Sequence, residues 1–433
     1  MSRTLSAWIE RESPIALRGM LKSVSPVGIT HQRAGFGQTI VPKRGAIVAS
    51  PVPGAYDPDP DYFYHWFRDS AIIIDALRLA YLDGSPGAGL IGHLADFVHF
   101  SLSLGLLDGR RLLATPAWRS RVVADHRQFL REDADLARVH GARVDAEARV
   151  NADGTLDVAR WARPQHDGSA LRALTLMRWM RDVPLPEPLA AAMAALIRSD
   201  LGYTKHFSPE PCYDIWEEDL GLHYYTLRVA AAALNQGSSW LQVQSASAQD
   251  AELARSCMAE AAALTSVLND FWLPEEGHYR SRRLPAGVRS GKELDISVIL
   301  AAVHAGEAPG AHTPQDERQQ ATLDRLCALF SSTYPINRAS PGIGPAMGRY
   351  RGDCYFAGGP WYLTTLGAAE FCYRADDRAR GDAFLETVRR FTPESGELSE
   401  QFDQRTGQQL SAKQLAWSYA AFISCVAARR LGG

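Results

Sequence analysis

The chain has 433 residues, 46% of them apolar and 22% charged, with a formal net charge of -3. That balance is one of a globular protein with enough apolar side chain for a large core, and the absence of any basic block argues against a nucleic-acid partner. No apolar run reaches membrane length, and the N-terminal MSRTLSAWIERESPIALRGML threads charges through its apolar positions, unlike a signal peptide, so a cytoplasmic protein with no membrane partner is expected.

Apolar residues at helical spacing and their stop signals predict twelve helices, at 4–22, 69–83, 87–104, 168–182, 188–201, 218–235, 246–272, 293–304, 314–331, 360–374, 379–391 and 411–430. Strand patterns are few. Residues 105–151 mix charges with poor periodicity and read as an elaborated loop, and 236–247 and 306–315 as surface connections. Six cysteines, at 212, 257, 327, 354, 372 and 425, show no CxxC spacing, and neither disulfides nor a zinc site are expected.

Every second helix follows a loop rich in aromatic, Arg, Asp, Glu and Gly residues: YFYHWFRD, WARPQHDG, CYDIWEED, VRSGKE, GRYRGDCYFAGGPW and SGELSEQFDQRTGQQLS. The other helices follow bland connections. Only a closed ring of helix pairs brings six such helix starts to one mouth, so the pattern predicts an all-α fold, an (α/α)6 barrel of six inner and six outer helices that spans residues 1–433 as one domain. The last helix, LSAKQLAWSYAAFISCVAARRL, has small residues all round, as an inner helix should, whereas PQDERQQATLDRLCALF has one charged face and suits the outer ring.

CYDIWEED sets Asp214, Glu217, Glu218 and Asp219 within six residues of one another. Asp-x-x-Glu ahead of a helix is also a capping arrangement, favoured by the helix dipole. Capping leaves Trp216 unexplained, a large ring that would dehydrate a neighbouring carboxyl and keep it protonated, as a general acid requires. In SGELSEQFD, Glu400 has polar neighbours, with Gln401 beside it and Ser411 at the opening of the last helix, and it suits a general base. One protonated and one ionised carboxyl across a pocket of sugar size is the apparatus of glycoside hydrolysis.

DYFYHWFRDS, WARPQHDG, YDIWEE, the run from GRY to GGPW, and SEQFD with QLSAKQLAWSYAA resemble the glucoamylases, glycoside hydrolase family 15, in the same order and over nearly the whole chain. IVASPVPGAYDPDPDYFYHW resembles the family's approach to its first active-site loop. The resemblance implies that Glu217 is the general acid, that Glu400 is the general base on the opposite face of the sugar, and that the reaction inverts to release β-glucose. It implies further that Arg68 and Asp69 grip the terminal glucose in a dead-end pocket, that Trp66 forms its apolar wall and that Tyr62 lies near the reacting ring. Trp161 and Arg163 would stand beside the acid, with Asp214 and Trp216 in the same loop, Arg349 would bind substrate, Trp361 would stack on the next sugar, and Glu218 would receive a hydroxyl from it. His166 stands where many members carry arginine, and a surface or helix-cap role is expected for it. Asp69 or Ser70 could instead merely cap a helix, and Trp66 and Trp361 could be core.

The substrate implied is a short maltooligosaccharide or other α-glucoside, with α-1,4 glucan ranked ahead of α-1,6 glucan and trehalose; Leu220 and SGKELD depart from the family at leaving-sugar positions, which bear on the linkage and not on the reaction. No starch-binding module and no N-terminal β-sandwich are expected within this length. A non-catalytic sugar-binding or regulatory barrel is the competing reading, and the presence of Glu217, Glu400, Arg68, Asp69 and Arg349 together argues against it. An inverting phosphorylase would need a phosphate pocket where Glu400 stands. GxxxxGK[ST] and HExxH are absent and GIGPAMG lacks a flanking strand, so neither cofactor nor metal is expected.

Overall fold

Apolar periodicity becomes helix nearly everywhere it occurs. The computed structural model describes residues 4–54, 60–85, 87–244, 247–288, 290–339 and 342–431; Arg289 of VRSGKE and residues 55–59 ahead of Tyr62 lie outside them. Twelve helices of nine residues or more occur among the described residues: α1 (Leu5–Leu21), α2 (Phe67–Leu82), α3 (Gly87–Leu104), α4 (Asp167–Asp182), α5 (Glu187–Phe207), α6 (Tyr224–Gln244), α7 (Ala248–Asn269), α8 (Ser297–Ala305), α9 (Glu317–Thr333), α10 (Tyr362–Arg374), α11 (Arg378–Phe391) and α12 (Ala416–Leu431). Among them, α2 packs on α4, α4 on α6, α6 on α8, α8 on α10, α10 on α12, and α12 back on α2. That closes the inner ring of an (α/α)6 barrel. Each odd-numbered helix packs outside an inner one: α3 on α2, α5 on α4, α7 on α6, α9 on α8, α11 on α10 and α1 on α12. None of the described helices is long and apolar enough to cross a membrane.

Burial separates the two rings, and side-chain capping follows it except at outer α5, where the N-cap residue is Pro186. Inner α10 is buried without a break from Tyr362 to Tyr373, whereas outer α9 buries only the stripe Gln319, Thr322, Leu323, Leu326, Leu329 and Phe330. Thr4, Ser247, Asp316 and Asp377 cap outer helices α1, α7, α9 and α11 through their side chains. Inner helices α2, α4, α8 and α10 have no side-chain cap. Neither Asp69 nor Ser70 therefore caps α2: Trp66 holds the N-cap position, and the Ser70 hydroxyl donates to the Phe67 carbonyl at 2.9 Å. The polar residues that cap the outer ring are replaced, around the inner one, by residues that do something else.

Several boundaries differ from the sequence reading, and three of them have a clear local reason. The acids of CYDIWEED do not start a helix; they form the turn between strands Cys212–Tyr213 and Leu220–His223, which pair with Cys212 opposite Gly221, and α6 begins only at Tyr224. The capping account of these acids falls with that. At its other end α6 runs on to Gln244 instead of stopping at Asn235, because Gly237 is a site of close packing: a Cβ there would lie 2.4 Å from Leu201 Cδ2 on α5. Likewise α12 starts at Ala416, with Ser411 upstream in the left-handed region (φ 63), just after the strand Gln409–Leu410.

The region 105–151 is not a bare loop. It folds into helical turns of six residues, too short to show periodicity, whose Trp118, Val122 and Leu136 share a small core with Phe36, Val158 and Ala159 from outside the region. Its last residues supply the strand Arg149–Asn151, which pairs antiparallel with Tyr64–Trp66 and sets Arg149 opposite Trp66.

Candidate active site

Five of the six loops ahead of the inner helices converge on a cavity of about 240 Å³. Tyr62 and Trp66 line it from ahead of α2, Arg68 and Asp69 from the first turn of α2, Trp161 from ahead of α4, and Trp216, Glu217 and Glu218 from ahead of α6. Arg349 and Trp361 come from ahead of α10 and Glu400 from ahead of α12. The loop ahead of α8 reaches the site indirectly: the Lys292 ammonium donates to Glu218 at 2.8 Å. Eleven of the residues singled out from the sequence thus share one cavity.

Glu217 stands at the tip of the turn, its backbone N–H bonded to the Asp214 carbonyl at 2.9 Å and its own φ at 67. That is a left-handed conformation, uncommon outside glycine and typical of functional sites. The carboxyl is held from three sides. Trp66 Nε1 donates to Oε1 at 2.8 Å, Gln165 Nε2 to the same oxygen at 2.9 Å, and Trp161 Nε1 to Oε2 at 2.6 Å. The dehydrating partner expected from the sequence, Trp216, is not among these neighbours: its indole donates to Asp295 at 3.0 Å.

Glu400 departs from expectation in the other direction. It is buried, and burial pushes its carboxyl from 4.5 up to about 7, even though the Ser411 hydroxyl, Arg349 and Tyr62 all pull it down. Ser411 donates to Oε2. The polar neighbours that suggested a permanently bare carboxylate are themselves inside the protein, so they bring no bulk water. Tyr62 lies close by, its hydroxyl 2.8 Å from that of Tyr355, and burial together with Glu400 raises its own pKa well above the usual phenol value.

At the floor, Arg68 Nε lies 3.5 Å from Asp69 Oδ2, and neither atom has a hydrogen-bond partner among the described residues. Arg68 donates from Nη1 to both Gln165 at 2.9 Å and Asp167 at 3.0 Å, and its Nη2 lies 3.8 Å from Glu217 Oε1. Asp69 is raised to about 6, by burial chiefly, against the pull of Arg68. Both atoms are buried and face each other, so the ion pair forms a polar floor beneath the cavity, a surface of the kind that sugar hydroxyls bond to. Around this floor the aromatic walls exclude water, which strengthens each of these contacts.

Four of the sequence candidates do not line the cavity. Arg163 is a scaffold residue: its guanidinium pairs with Glu147 at 2.8 Å and Asp157 at 2.9 Å. Asp214 braces the turn, accepting from the Glu218 backbone N–H at 2.8 Å and pairing with Arg282 at 3.0 Å. Ser411 orients Glu400, and Gln401 is buried behind it. His166 is not exposed: it holds the N-cap position of α4 without a side-chain cap, its buried Nδ1 lies 2.7 Å from the Tyr203 hydroxyl, and burial pushes its pKa down to about 4.

Other residues of the site escaped notice. Gln165 and Asp167 sit inside the quoted motif WARPQHDG, so a closer reading of that loop could have found them. Tyr355 and Trp417 also line the cavity, and no spacing rule points to either. Arg149 sits behind the walls, its guanidinium carbon 3.5 Å from the Trp161 ring centroid and 4.9 Å from that of Trp66, and it pairs with Asp157 at 2.9 Å. It stacks on the two indoles that hold Glu217.

Comparison with known proteins agrees with this geometry. Residues 16–87, 140–382 and 376–427 match the family model described as Glycosyl hydrolases family 15. Glucoamylase P of Amorphotheca resinae is 28% identical, covering 100% of this chain and 71% of that protein. Glucoamylase 1 of Rhizopus oryzae is 25% identical, covering 97% of this chain and 70% of that protein. The solved structure of the Hormoconis resinae glucoamylase superposes with a TM-score of 0.78 at 26% identity, over 99% of this chain and 74% of that one. With the barrel, the carboxyl-bearing cavity and a match over most of its length, the chain belongs to glycoside hydrolase family 15 and is a glucoamylase-like glycoside hydrolase.

Proposed function

We propose that the protein is an exo-acting, inverting α-glucosidase that releases β-glucose from the nonreducing ends of short α-1,4-glucans, with the barrel acting as one catalytic domain. The observation that carries this reading is the placement of Glu217 and Glu400 on one cavity whose floor is the Arg68–Asp69 pair. Glu217, fixed by Trp66, Trp161 and Gln165, is the general acid that protonates the glycosidic oxygen. Glu400, near Tyr62 and Ser411, is the general base that takes a proton from the attacking water. A volume of about 240 Å³ lies below the range of pockets that take extended ligands, so it suits one terminal sugar. Trp361 packs on Trp216 at 5.5 Å and lies under the Arg349 guanidinium, which leaves it as a wall for the next sugar.

The test incubates the purified protein with maltose, isomaltose and trehalose and follows the anomer of the released glucose by NMR. Maltose cleaved fastest, with β-glucose appearing first, is the expected result; α-glucose appearing first would exclude inversion. The floor supplies a second measurement. Asp69→Asn keeps the shape but removes the charge paired with Arg68, and is expected to lower kcat/KM for maltose by about ten- to a hundredfold. A variant with unchanged kinetics would show that the terminal sugar binds elsewhere.

A further inference from the structure

The cavity becomes wetter toward Glu218. Side-chain exposure is 4% for Arg68, 11% for Asp69, 14% for Glu217 and 26% for Glu218. A sugar seated on the floor therefore has Glu218 at its open end, where the rest of the glycoside must leave. Just beyond stands Lys292, 28% exposed and carried by the one loop of the six with no described residue lining the cavity.

Glu218 is fastened by donors from two other loops. Lys292 Nζ donates to Oε2 at 2.8 Å, Tyr350 Oη lies 2.7 Å from Oε1 and 2.5 Å from Oε2, and Arg349 is 3.1 Å from Oε1. Although burial works against the anion, Arg349, Lys292 and Tyr350 together hold the Glu218 carboxyl below its usual value. A carboxylate offers about four acceptor positions, so three donors leave it one. Lys292 has three N–H bonds, of which Glu218 takes one and Asp219, at 3.5 Å, is within reach of another. An open acceptor thus stands beside an open donor at the mouth of the cavity.

From this geometry we propose that Lys292 is a positioning residue that sets leaving-group specificity: it fixes Glu218 to accept from the hydroxyls of the departing sugar. The inference rests on the glucosidase reading above. A surface ion pair contributes little to stability, so the effect belongs to substrate choice. Kinetics with two substrates separate these, maltose, whose leaving group is a sugar, and α-glucosyl fluoride, whose leaving group has no hydroxyls and which occupies only the floor. Lys292→Met is expected to lower kcat/KM for maltose about tenfold and leave that for the fluoride unchanged, with Lys292→Arg recovering most of the maltose rate. Equal losses on both substrates, no loss on maltose, or an arginine variant as slow as the methionine one would overturn the inference alone. A parent protein that cleaves neither substrate would overturn the glucosidase reading and this inference with it.

Discussion

Glu217→Gln is expected to turn over maltose about a thousandfold more slowly than the parent, with KM little changed, while α-glucosyl fluoride loses far less. The two substrates differ in what the acid does for them. A departing sugar leaves as an alkoxide unless a proton arrives with bond cleavage, whereas fluoride departs as a stable anion. The substitution also disturbs geometry, and the structure shows by how much. Oε1 takes two N–H donors and Oε2 one, so a glutamine can keep its oxygen toward Trp66 and Gln165 only by turning its amide against the Trp161 indole. Trp161→Phe removes that same bond while keeping the carboxyl, and should cost only about tenfold. If Glu217→Gln retained most of the maltose rate, or slowed both substrates alike, the acid would have to be sought elsewhere.

The ring was legible in the sequence because two periodicities agree: helical spacing within each segment, and the recurrence of an unusual loop before every second helix. Those loops carry side chains that the protein cannot spare for capping, and the absence of side-chain caps on α2, α4, α8 and α10 is the structural counterpart of the composition that singled them out. Membership of the cavity was legible for the same reason. Direction within a loop was not. Trp161 and Arg163 lie two positions apart, yet one indole bonds Glu217 and the guanidinium turns to Glu147 and Asp157.

Protonation bias was the least legible property, because it depends on neighbours that the chain brings from afar. Trp216 is adjacent to Glu217 and serves Asp295, whereas the indoles that touch Glu217 come from 151 and 56 positions away. Around Glu400 the error was to equate polar with wet. Ser399, Gln401 and Ser411 are polar, but all three are buried, and a buried polar neighbour supplies a hydrogen bond without the solvation that keeps a carboxylate charged.

Glu400→Gln tests that point through stability as well as rate. Water attack is common to both substrates, so the variant is expected to lose about a thousandfold on maltose and on α-glucosyl fluoride alike. In the parent, the base must be ionised to act, and with its pKa pushed up to about 7 the kcat/KM for maltose should fall as pH drops below about 7. The same shift makes the folded state worse at high pH. Below 4.5 the carboxyl is protonated in both folded and unfolded chains and costs nothing. Between 4.5 and about 7 the unfolded chain has shed a proton that the folded one keeps, so stability declines as pH rises. Above that range the buried charge costs up to about 3 kcal/mol, which is the shift expressed as free energy. Glutamine is spared this cost. The variant should therefore melt above the parent at pH 8, with the gap closing by pH 4, because Glu400 is kept for function at the expense of stability. A melting difference independent of pH, or a parent whose maltose activity holds level from pH 7 down to pH 5, would show that Glu400 is ionised throughout and that burial does not govern it.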